Sequence, residues 1–485
     1  MRAFLAVLRP LSVIGMAMSL SHVAPIVVSL IYNDGALRVF CISMLFNFVV
    51  ALIAFVITRQ VKIELKPRDG MLLVVLAWTG GAAFATVPLL MLIPGLSFTD
   101  AYFEAISGLT TTGATVLSNL DTLAPSLNIW RGLLVWLGGM GLIVLAVAVL
   151  PLLGIGGRQM FKAETPGPMK DAQLTPRITE TAKGLWVVYA LISLLCFLAF
   201  KLAGMTWFDA LMHMCSTMGL GGFSSHDASF GYWNSPLIEA VTILFMLIAG
   251  INFGTHFVAF RQRTLTPYRR DPEAGWFLLI TLASCVGLAA YLHAMGTYRE
   301  FWEALRFASF NVVSIATTTG FANTDYNLWP MFAPLWMLFL CCFVSCSGST
   351  GGGIKMIRAQ LLYIQVNREY VKLLHPHAVS PAKLSGHVVE NKVLFSVLAF
   401  MFVYVCCIVA MTLILVASGL DLVTAFSAVV ACINNTGPGL NKVGPATNYE
   451  VLTDFQTWVC SFAMLLGRLE LFTLLIVFTP AFWRR

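Results

Sequence analysis

Four short stretches of the chain end on a glycine and could offer backbone oxygens to a metal ion. The residues at matching places before these glycines are Thr, Leu or Asn, so the stretches share no side-chain chemistry. They share a backbone carbonyl followed by glycine, which can adopt a positive φ and let successive carbonyls face one way. Such carbonyl rings can replace the hydration shell of K⁺, whereas Mg²⁺ and Ca²⁺ prefer carboxylates, which these stretches lack. The four stretches are Thr110–Gly113, Gly219–Gly222, Thr317–Gly320 and Asn434–Gly437.

The four stretches end four copies of one repeat. Residues 100–113 and 307–320 align without a gap and share Ala, Phe, Ser and the terminal Thr-Thr-Thr-Gly, and residues 209–222 and 424–437 accept the same register. An apolar run precedes and follows each copy. A helix of about 13 residues reaches only ~20 Å and cannot cross a ~30 Å hydrocarbon core. We therefore expect each copy to enter the membrane and turn back, although close helix packing is an alternative reason for Gly and Thr.

The composition places these copies in a membrane protein. Of 485 residues, 58% are hydrophobic and 11% are charged, against roughly a quarter charged in soluble domains. About ten apolar runs reach the length of a membrane helix, which excludes a soluble enzyme. We predict an all-α polytopic membrane protein with four pseudo-symmetric helix, pore-helix, helix repeats around one pore and two N-terminal transmembrane helices. The expected boundaries are 1–68 for the N-terminal pair and 69–157, 184–263, 273–358 and 390–485 for pore repeats 1 to 4.

The basic residues predict the orientation of the chain. Of the 30 Lys and Arg, 23 lie in the two termini and four alternate loops, and short basic loops are retained in the cytoplasm. We therefore expect both termini to be cytoplasmic and the four copies to enter from outside, so the net charge of +7 does not indicate nucleic acid. The short helices would then point their C-terminal ends, each carrying about −0.5 charge, towards the middle, which favours a cation there.

A glycine-rich stretch should interrupt the second span of the third repeat. Residues 345–355 have poor helix propensity, since each glycine costs ~1 kcal/mol in a helix. Glycines recur at corresponding places in the other second spans, but only this span is clearly broken by its sequence. A phosphate-binding loop is excluded because an isoleucine displaces the lysine and no Ser or Thr follows it. The candidate gating residues here are Gly348, Ser349, Thr350, Gly351, Gly352 and Gly353.

Arg468 is a second gating candidate. It lies about twelve residues into the last span, and a charge at mid-bilayer is a functional candidate by default. Below the four stretches it would form a cationic barrier that must move or be screened. The alternative is a structural pair with a carboxylate on another helix. Glu470, two positions on, does not share its face.

Several polar residues of the short helices have a structural interpretation. Glu104 and His213 occupy matching positions in the first two copies, where the others carry Asn311 and Ala428. We expect hydrogen bonds from the first two to anchor their helices. Asp100 and Asp209 are expected to open these helices as N-caps.

As a set, these motifs resemble the superfamily of K⁺ transporters that includes the TrkH, KtrB and plant HKT proteins, and the two extra N-terminal helices are similar to the TrkH branch. The resemblance covers residues from about 70 to 480. It implies that each repeat is similar to a K⁺-channel subunit and that an intramembrane loop lies below the filter. Leu220 departs most from the pattern. The ion-coordinating residues that the resemblance implies are Thr111, Thr112, Gly113, Leu220, Gly221, Gly222, Thr318, Thr319, Gly320, Asn435, Thr436 and Gly437.

The resemblance also implies the surroundings of the protein. It implies a homodimer in a bacterial inner membrane, in contact with lipid, and a cytosolic nucleotide-binding regulatory subunit similar to TrkA. Residues 158–183 and 355–392 are the expected docking loops, or else plain basic linkers.

The function predicted is K⁺ uptake through a gated, channel-like pore, with K⁺ as the transported ion and no organic cofactor. A K⁺/H⁺ or K⁺/Na⁺ coupled transporter with alternating access stays open as the alternative. It would need inverted repeats and broken helices near the midplane. A membrane enzyme is a third possibility, but the eight His are scattered along the chain.

Overall fold

Two N-terminal spans precede the repeats. Helices α1 (Arg2–Leu20) and α2 (Val23–Tyr32) together form one apolar span, and α3 (Leu37–Thr58) forms the next. Both are long enough to cross a bilayer. The computed structural model of the protein describes residues 2–60, 66–141, 178–384 and 386–484.

The first repeat contains a long helix, a short helix and a second helix. Helix α4 (Pro67–Leu92) is a continuous span, α5 (Phe98–Leu109) has 12 residues, and α6 (Pro125–Gly139) follows it. At 1.5 Å per residue α5 is only about 18 Å long, so it cannot cross the membrane. Most of the basic loop expected at 158–183 lies outside the described residues.

The second repeat has the same order but a bent second helix. Helix α7 (Ile178–Leu202) is the first span and α8 (Trp207–Gly219) is the short helix. Helix α9 (Pro236–Gly250) is followed by α10 (Phe253–Gln262) at an angle of 93° and by the five-residue α11 (Thr266–Arg270).

In the third repeat the second helix gives way to an irregular loop. Helices α12 (Ala274–Ala294) and α13 (Phe301–Ala316) are the span and the short helix. Helix α14 (Phe332–Phe343) ends before the glycine-rich stretch, and α15 (Met356–Leu374) begins after it. A two-stranded antiparallel ribbon then pairs β1 (Lys383–Leu384) with β2 (His387–Val388).

The fourth repeat completes the chain. Helix α16 (Asn391–Ala417) is the span and α17 (Leu422–Ile433) is the short helix. Helix α18 (Asp454–Arg468) then turns by 113° into the segment that begins with α19 (Phe472–Leu475), and α20 (Pro480–Trp483) ends the described chain.

The short helices pack in a cyclic order. Each contacts the first and second helices of its own repeat and the second helix of the repeat before it, so α8 lies against α6, α13 against α9, α17 against α14, and α5 against α18. The last of these contacts closes the circle between the fourth and first repeats. The predicted all-α polytopic fold is therefore confirmed, with four units arranged around one axis.

The expectation that only the third repeat has a clearly broken second helix is wrong. Among the described residues, six spans are continuous and apolar, two more are bent helix pairs, and α6 and α14 are only 15 and 12 residues long. The reason lies in close backbone contacts at the glycines. A Cβ on Gly138 would overlap the carbonyl oxygen of Leu109, and one on Gly467 would overlap that of Ile433. The second helices therefore approach the ends of the short helices too closely to continue as regular spans.

The N-caps of the first two short helices are also corrected. Ser97 and Thr206 cap α5 and α8, and each side-chain oxygen accepts the backbone N–H of the aspartate three residues on. Asp100 and Asp209 therefore occupy the N3 position, where their carboxylates accept the hydroxyls of Ser97 and Thr206 at 2.8 and 2.7 Å. Both places favour a carboxylate because the helix N-terminus is positive.

Candidate ion pathway and gate

All four short helices end with the same backbone turn. The amide of Thr112 donates to the carbonyl of Ser107 at 2.8 Å, five residues back, and the preceding residue Thr111 has φ 57°. This is the Schellman ending of a helix, in which the residue of positive φ is usually glycine. The equivalent bonds join Gly221 to Ser216, Thr319 to Ser314 and Thr436 to Ala431.

Non-glycine residues therefore adopt a left-handed conformation at four equivalent places. The φ angles are 57° at Thr111, 54° at Leu220, 61° at Thr318 and 53° at Asn435. Such a conformation costs roughly 1–2 kcal/mol for most residues, and strain of this kind concentrates at functional sites. The residue types at these places do not indicate this conformation, apart from Asn, which tolerates it best.

The four glycines meet in a ring. Each has a positive φ, between 67° and 92°. A Cβ on Gly113 would overlap the carbonyl oxygen of Gly221, and the same relationship joins each glycine to the next repeat around the axis. The ring closes because a Cβ on Gly437 would overlap the carbonyl oxygen of Thr112. The remaining pairs are Gly222 with Thr319 and Gly320 with Thr436.

Four backbone carbonyls at this ring are buried and accept no hydrogen bond within the described chain. Thr111, Leu220, Thr318 and Asn435 have no exposed surface, and within the described chain nothing donates a hydrogen bond to their carbonyl oxygens. Buried carbonyls are nearly always paired, so this group is an exception in four equivalent copies. It is the donor set that a dehydrated monovalent cation requires.

The threonine hydroxyls of the first and third stretches form hydrogen bonds within the protein. Thr110 Oγ1 donates to the carbonyl of Ile106 at 2.7 Å and lies 2.8 Å from Thr112 Oγ1. Thr317 and Thr319 repeat this pair at 2.7 Å. In these two stretches the hydroxyls therefore help to fix the turn.

Each short helix also forms hydrogen bonds with the irregular segment that follows its glycine. Glu104 accepts the hydroxyl of Thr115 and the amide of Val116, at 2.9 and 3.1 Å. His213 Nε2 pairs with Ser224 Oγ at 2.9 Å. These bonds confirm the anchoring expected of Glu104 and His213. Asn311 bonds Asn323 at 2.6 Å, and Ser427 next to Ala428 accepts the amide of Leu440 at 2.9 Å.

Arg131 on α6 belongs to this support, and the sequence analysis did not single it out. Its guanidinium donates to Glu104 at 2.8 Å, and both side chains are 1% exposed. It also donates to the carbonyl of Ser224 at 3.2 Å and lies over the ring of Phe223. It therefore joins the first repeat to the second just beyond the glycine ring. An arginine inside an apolar run was the available signal.

The glycine-rich loop lies against the inner side of the ring. Thr350 Oγ1 donates to the carbonyl of Met218 at 3.0 Å, and the amide of Gly352 donates to Thr318 Oγ1 at 2.8 Å. A Cβ on Gly352 would overlap the carbonyl oxygen of Asn434. The loop therefore touches the ends of three of the four short helices, and its glycines are needed for this close approach.

Arg468 reaches the end of the remaining short helix. Its guanidinium donates to Thr111 Oγ1 at 3.2 Å, to the carbonyl of Thr350 at 3.1 Å and to the carbonyls of Gly138 and Gly139. It also lies 5.3 Å from the ring of Trp78. The loop and Arg468 together thus cover the inner ends of all four short helices.

Glu470, the carboxylate two positions after Arg468, pairs with a different arginine. Glu470 accepts a 2.8 Å bond from Arg358 at the start of α15. Glu470 and Leu471 both have positive φ, at 53° and 55°, in the sharp turn after α18. The turn directs the side chains of Arg468 and Glu470 to different partners, as their spacing in the sequence predicted.

The fold and the site define a membrane transport protein built from four pore-helix units that surround one cation pathway. A model of the TrkH family, described as cation transport protein, matches residues 36–485. The chain belongs to the TrkH family.

Individual relatives match over nearly the whole chain. The Trk system potassium uptake protein TrkH of Halomonas elongata is 45% identical, and that of Escherichia coli is 43% identical, with 99% of each chain covered. The crystal structure of the potassium transporter TrkH from Vibrio parahaemolyticus has a TM-score of 0.90 and 42% identity, and the match covers 99% of this chain and all of the other. All three relatives are named as transport proteins.

Proposed function

We propose that this protein takes up K⁺ through the central pathway, using the carbonyls of the four glycine-ended stretches as its selectivity filter. The observation that carries the proposal is the closed ring of Gly113, Gly222, Gly320 and Gly437 beside four equivalent unpaired carbonyls. The potassium uptake named for the relatives supports it. The twelve ion-binding residues are those that the family resemblance implies, and the pore repeats are 69–157, 184–263, 273–358 and 390–485.

Two physical properties of the site favour a monovalent cation. The four short helices direct their C-terminal ends at the ring, and each end carries about −0.5 elementary charge. The stretches contain no carboxylate, which Ca²⁺ would require at close range. Partial negative charge without formal charge suits an ion that sheds its water easily, as K⁺ does.

The loop from Gly348 to Gly353 and Arg468 are proposed to form the gate. The loop has positive φ at both ends, 73° at Gly348 and 81° at Gly353. Arg468 bonds it through the carbonyl of Thr350 while also holding Thr111 of the filter turn. Opening then requires the guanidinium to leave these acceptors and the loop to move from the axis.

A coupled transporter with alternating access is the second candidate. The breaks in the second helices of several repeats favour it, because discontinuous helices carry the sites of such transporters. The cyclic order of the four units favours the channel-like path instead, since each repeat follows the last by rotation about one axis. Proton dependence separates the two.

The test is ⁸⁶Rb⁺ uptake by the purified protein in lipid vesicles, with and without a proton gradient. A channel-like pathway predicts uptake down the Rb⁺ gradient that the proton gradient changes only through the membrane potential. Uptake that requires the proton gradient at fixed potential would replace the channel with the coupled transporter. No uptake under either condition would contradict K⁺ transport itself.

The proposed setting is the bacterial inner membrane, with both termini cytoplasmic and two copies of the chain assembled with a TrkA-like nucleotide-binding subunit. The basic residues of α15 and of the segment up to residue 392 support a cytosolic contact there. The rest of the proposed docking surface, residues 158–177, lies outside the described residues. The test is co-purification of the nucleotide-binding subunit with the wild type and with a variant in which Arg368 and Lys372 are both replaced by Glu.

A further inference from the structure

An apolar groove opens on the side of the protein between α7 and α10. It has a volume of about 420 Å³. Its α7 wall is one stripe, because Val188, Leu191, Ile192 and Leu195 follow the i, i+3, i+4, i+7 spacing of a helix face. On the other wall Phe260 is 65% exposed. The groove is therefore an apolar slot on the surface of a helix long and apolar enough to span a membrane.

Part of the lining of the groove is polar and basic. Arg263, Thr264 and Tyr268 form this part. Arg261, Arg269 and Arg270 lie on the same short segment and, like Arg263, are exposed. Within the described residues none of these four guanidiniums forms an ion pair. The nearby Asp271 is engaged by Thr255 and by the amides of Glu273 and Ala274.

We propose that this groove binds an anionic phospholipid of the cytoplasmic leaflet, with one acyl chain along α7 and the phosphate at Arg263. The proposal uses the orientation given under the proposed function. The 93° turn after α9 sets α10 roughly at right angles to that helix. The acyl chain then points from Arg263 towards the bilayer midplane, past Leu191 and Leu195. Arginine is suited to the headgroup because its planar fork matches a phosphate.

The groove is joined to the proposed gate through the turn between α9 and α10. The amide of Phe253, the first residue of α10, donates to the carbonyl of Gly348 at 3.0 Å. The amide of Cys346 donates to the carbonyl of Gly250, the last residue of α9, at 3.2 Å. A lipid that holds α10 in place therefore holds the first part of the gating loop. Bound lipid shifts the gate only by its difference in affinity for the two gate positions.

Native mass spectrometry of the full-length chain in detergent, with phosphatidylglycerol or phosphatidylcholine added, tests the site without relying on transport. We expect Arg263→Gln to lower the retention of phosphatidylglycerol about tenfold, the loss of one charge-assisted contact. Arg269→Gln, outside the groove, is the matched control. Leu191→Trp should fill the slot and lower retention of both lipids, whereas Ala190→Trp, at an exposed position on the opposite face of α7, should not. Inorganic phosphate should not displace the lipid.

The same variants link binding to the gate. In vesicles, replacing part of the phosphatidylcholine with phosphatidylglycerol should change the wild-type ⁸⁶Rb⁺ uptake rate, and Arg263→Gln should remove this response. Equal loss of lipid in Arg263→Gln and Arg269→Gln would show only diffuse attraction and would overturn the site. Unchanged retention of phosphatidylglycerol in Arg263→Gln and Leu191→Trp would also overturn the site. A variant that loses a cytosolic protein partner but keeps the lipid would overturn it as well. Absent wild-type uptake would count against the proposed function alone.

Discussion

Arg468 donates a 3.2 Å hydrogen bond to the hydroxyl of Thr111, although 357 positions separate the two residues in the chain. Thr111 is the strained residue of the first filter turn, and Arg468 also holds the carbonyl of Thr350 in the gating loop. One guanidinium therefore connects the filter turn to the loop beneath it. In the proposed gate, this contact places the closing residue in the last repeat.

Replacing Arg468 by Ala should raise basal ⁸⁶Rb⁺ uptake. Hydrogen bonds to charged groups contribute about 1.5–3 kcal/mol each, so losing even one favours the open gate by about tenfold or more. Arg468→Lys keeps the charge but not the planar set of donors, so its basal uptake rate should lie between those of the wild type and Arg468→Ala. The measurement is initial uptake by vesicles that contain equal amounts of folded protein. An unaltered or lower rate in Arg468→Ala would remove the gating role.

Deleting Gly351 to Gly353 should raise uptake as well. These residues bring the loop close to Thr317, Thr318 and Asn434, so their removal takes backbone away from the inner side of the filter. The control is a deletion of similar size, which removes Gly296 and Thr297 from the exposed turn after α12. Gel filtration verifies the fold of both variants. Lower uptake by a well-folded gate deletion would contradict the proposed occlusion.

Serine at Gly113 or Gly320 should degrade selectivity for K⁺ over Na⁺. The added Cβ would overlap the carbonyl oxygen of Gly221 or Thr436, so the ring must widen. Gly296→Ser is the control, because Gly296 also has a positive φ of 76° but has nothing within 4 Å of an added Cβ. Competition of Na⁺ with ⁸⁶Rb⁺ uptake measures the effect. Equal selectivity in the three variants would show that the ring does not choose the ion.

Removing one member of the Glu104 and Arg131 pair should destabilise the protein. Breaking a buried ion pair costs about 3–5 kcal/mol, because the remaining charge stays buried without its partner. Glu104→Gln should therefore lower the unfolding temperature in detergent far more than Glu369→Gln. Glu369 pairs with Lys372 at the surface, where both side chains are 40% or more exposed, and such pairs contribute about 0–1 kcal/mol. Similar unfolding temperatures would show that the buried pair is not required.

The loop region around His226 should lose stability as the pH rises above neutrality. His226 lies between Asp121 and Asp209, and its Nε2 is 3.2 Å from Asp209. Partial burial lowers the pKa of His226, but bonds with Asp209 and Asp121 outweigh it and raise the pKa above the ordinary 6.5. The stabilisation is therefore complete below pH 6.5 and is lost as the pH passes the raised pKa.

The measurement is the unfolding temperature of the wild type and of His226→Gln between acid and mildly alkaline pH. The wild type should lose its advantage over His226→Gln across that range. Asp34 pairs with Ser29 and Ser126 instead of a titrating base, so Asp34→Asn should shift the curve without changing its slope at neutral and alkaline pH, where this carboxylate stays ionised. A wild-type advantage that stays constant with pH would contradict the predicted role.

Local sequence patterns predicted four units, their order along the chain and a re-entrant turn in each. These features are local, because helix length, glycine positions and apolar runs depend on neighbouring residues. The copies that end at Gly113, Gly222, Gly320 and Gly437 could therefore be recognised without coordinates, and so could the break before Lys355.

The contacts between residues of different repeats became known only from the fold. Arg131 joins Glu104 to Ser224, Glu470 joins Arg358, and Thr111, Leu220, Thr318 and Asn435 are held at positive φ. None of this follows from local propensity, because packing of distant helices fixes the partners and stabilises the strain. The second helices broke more often than their sequences indicated for the same reason: their ends press against the short helices of neighbouring repeats, and those contacts exist only in the folded ring.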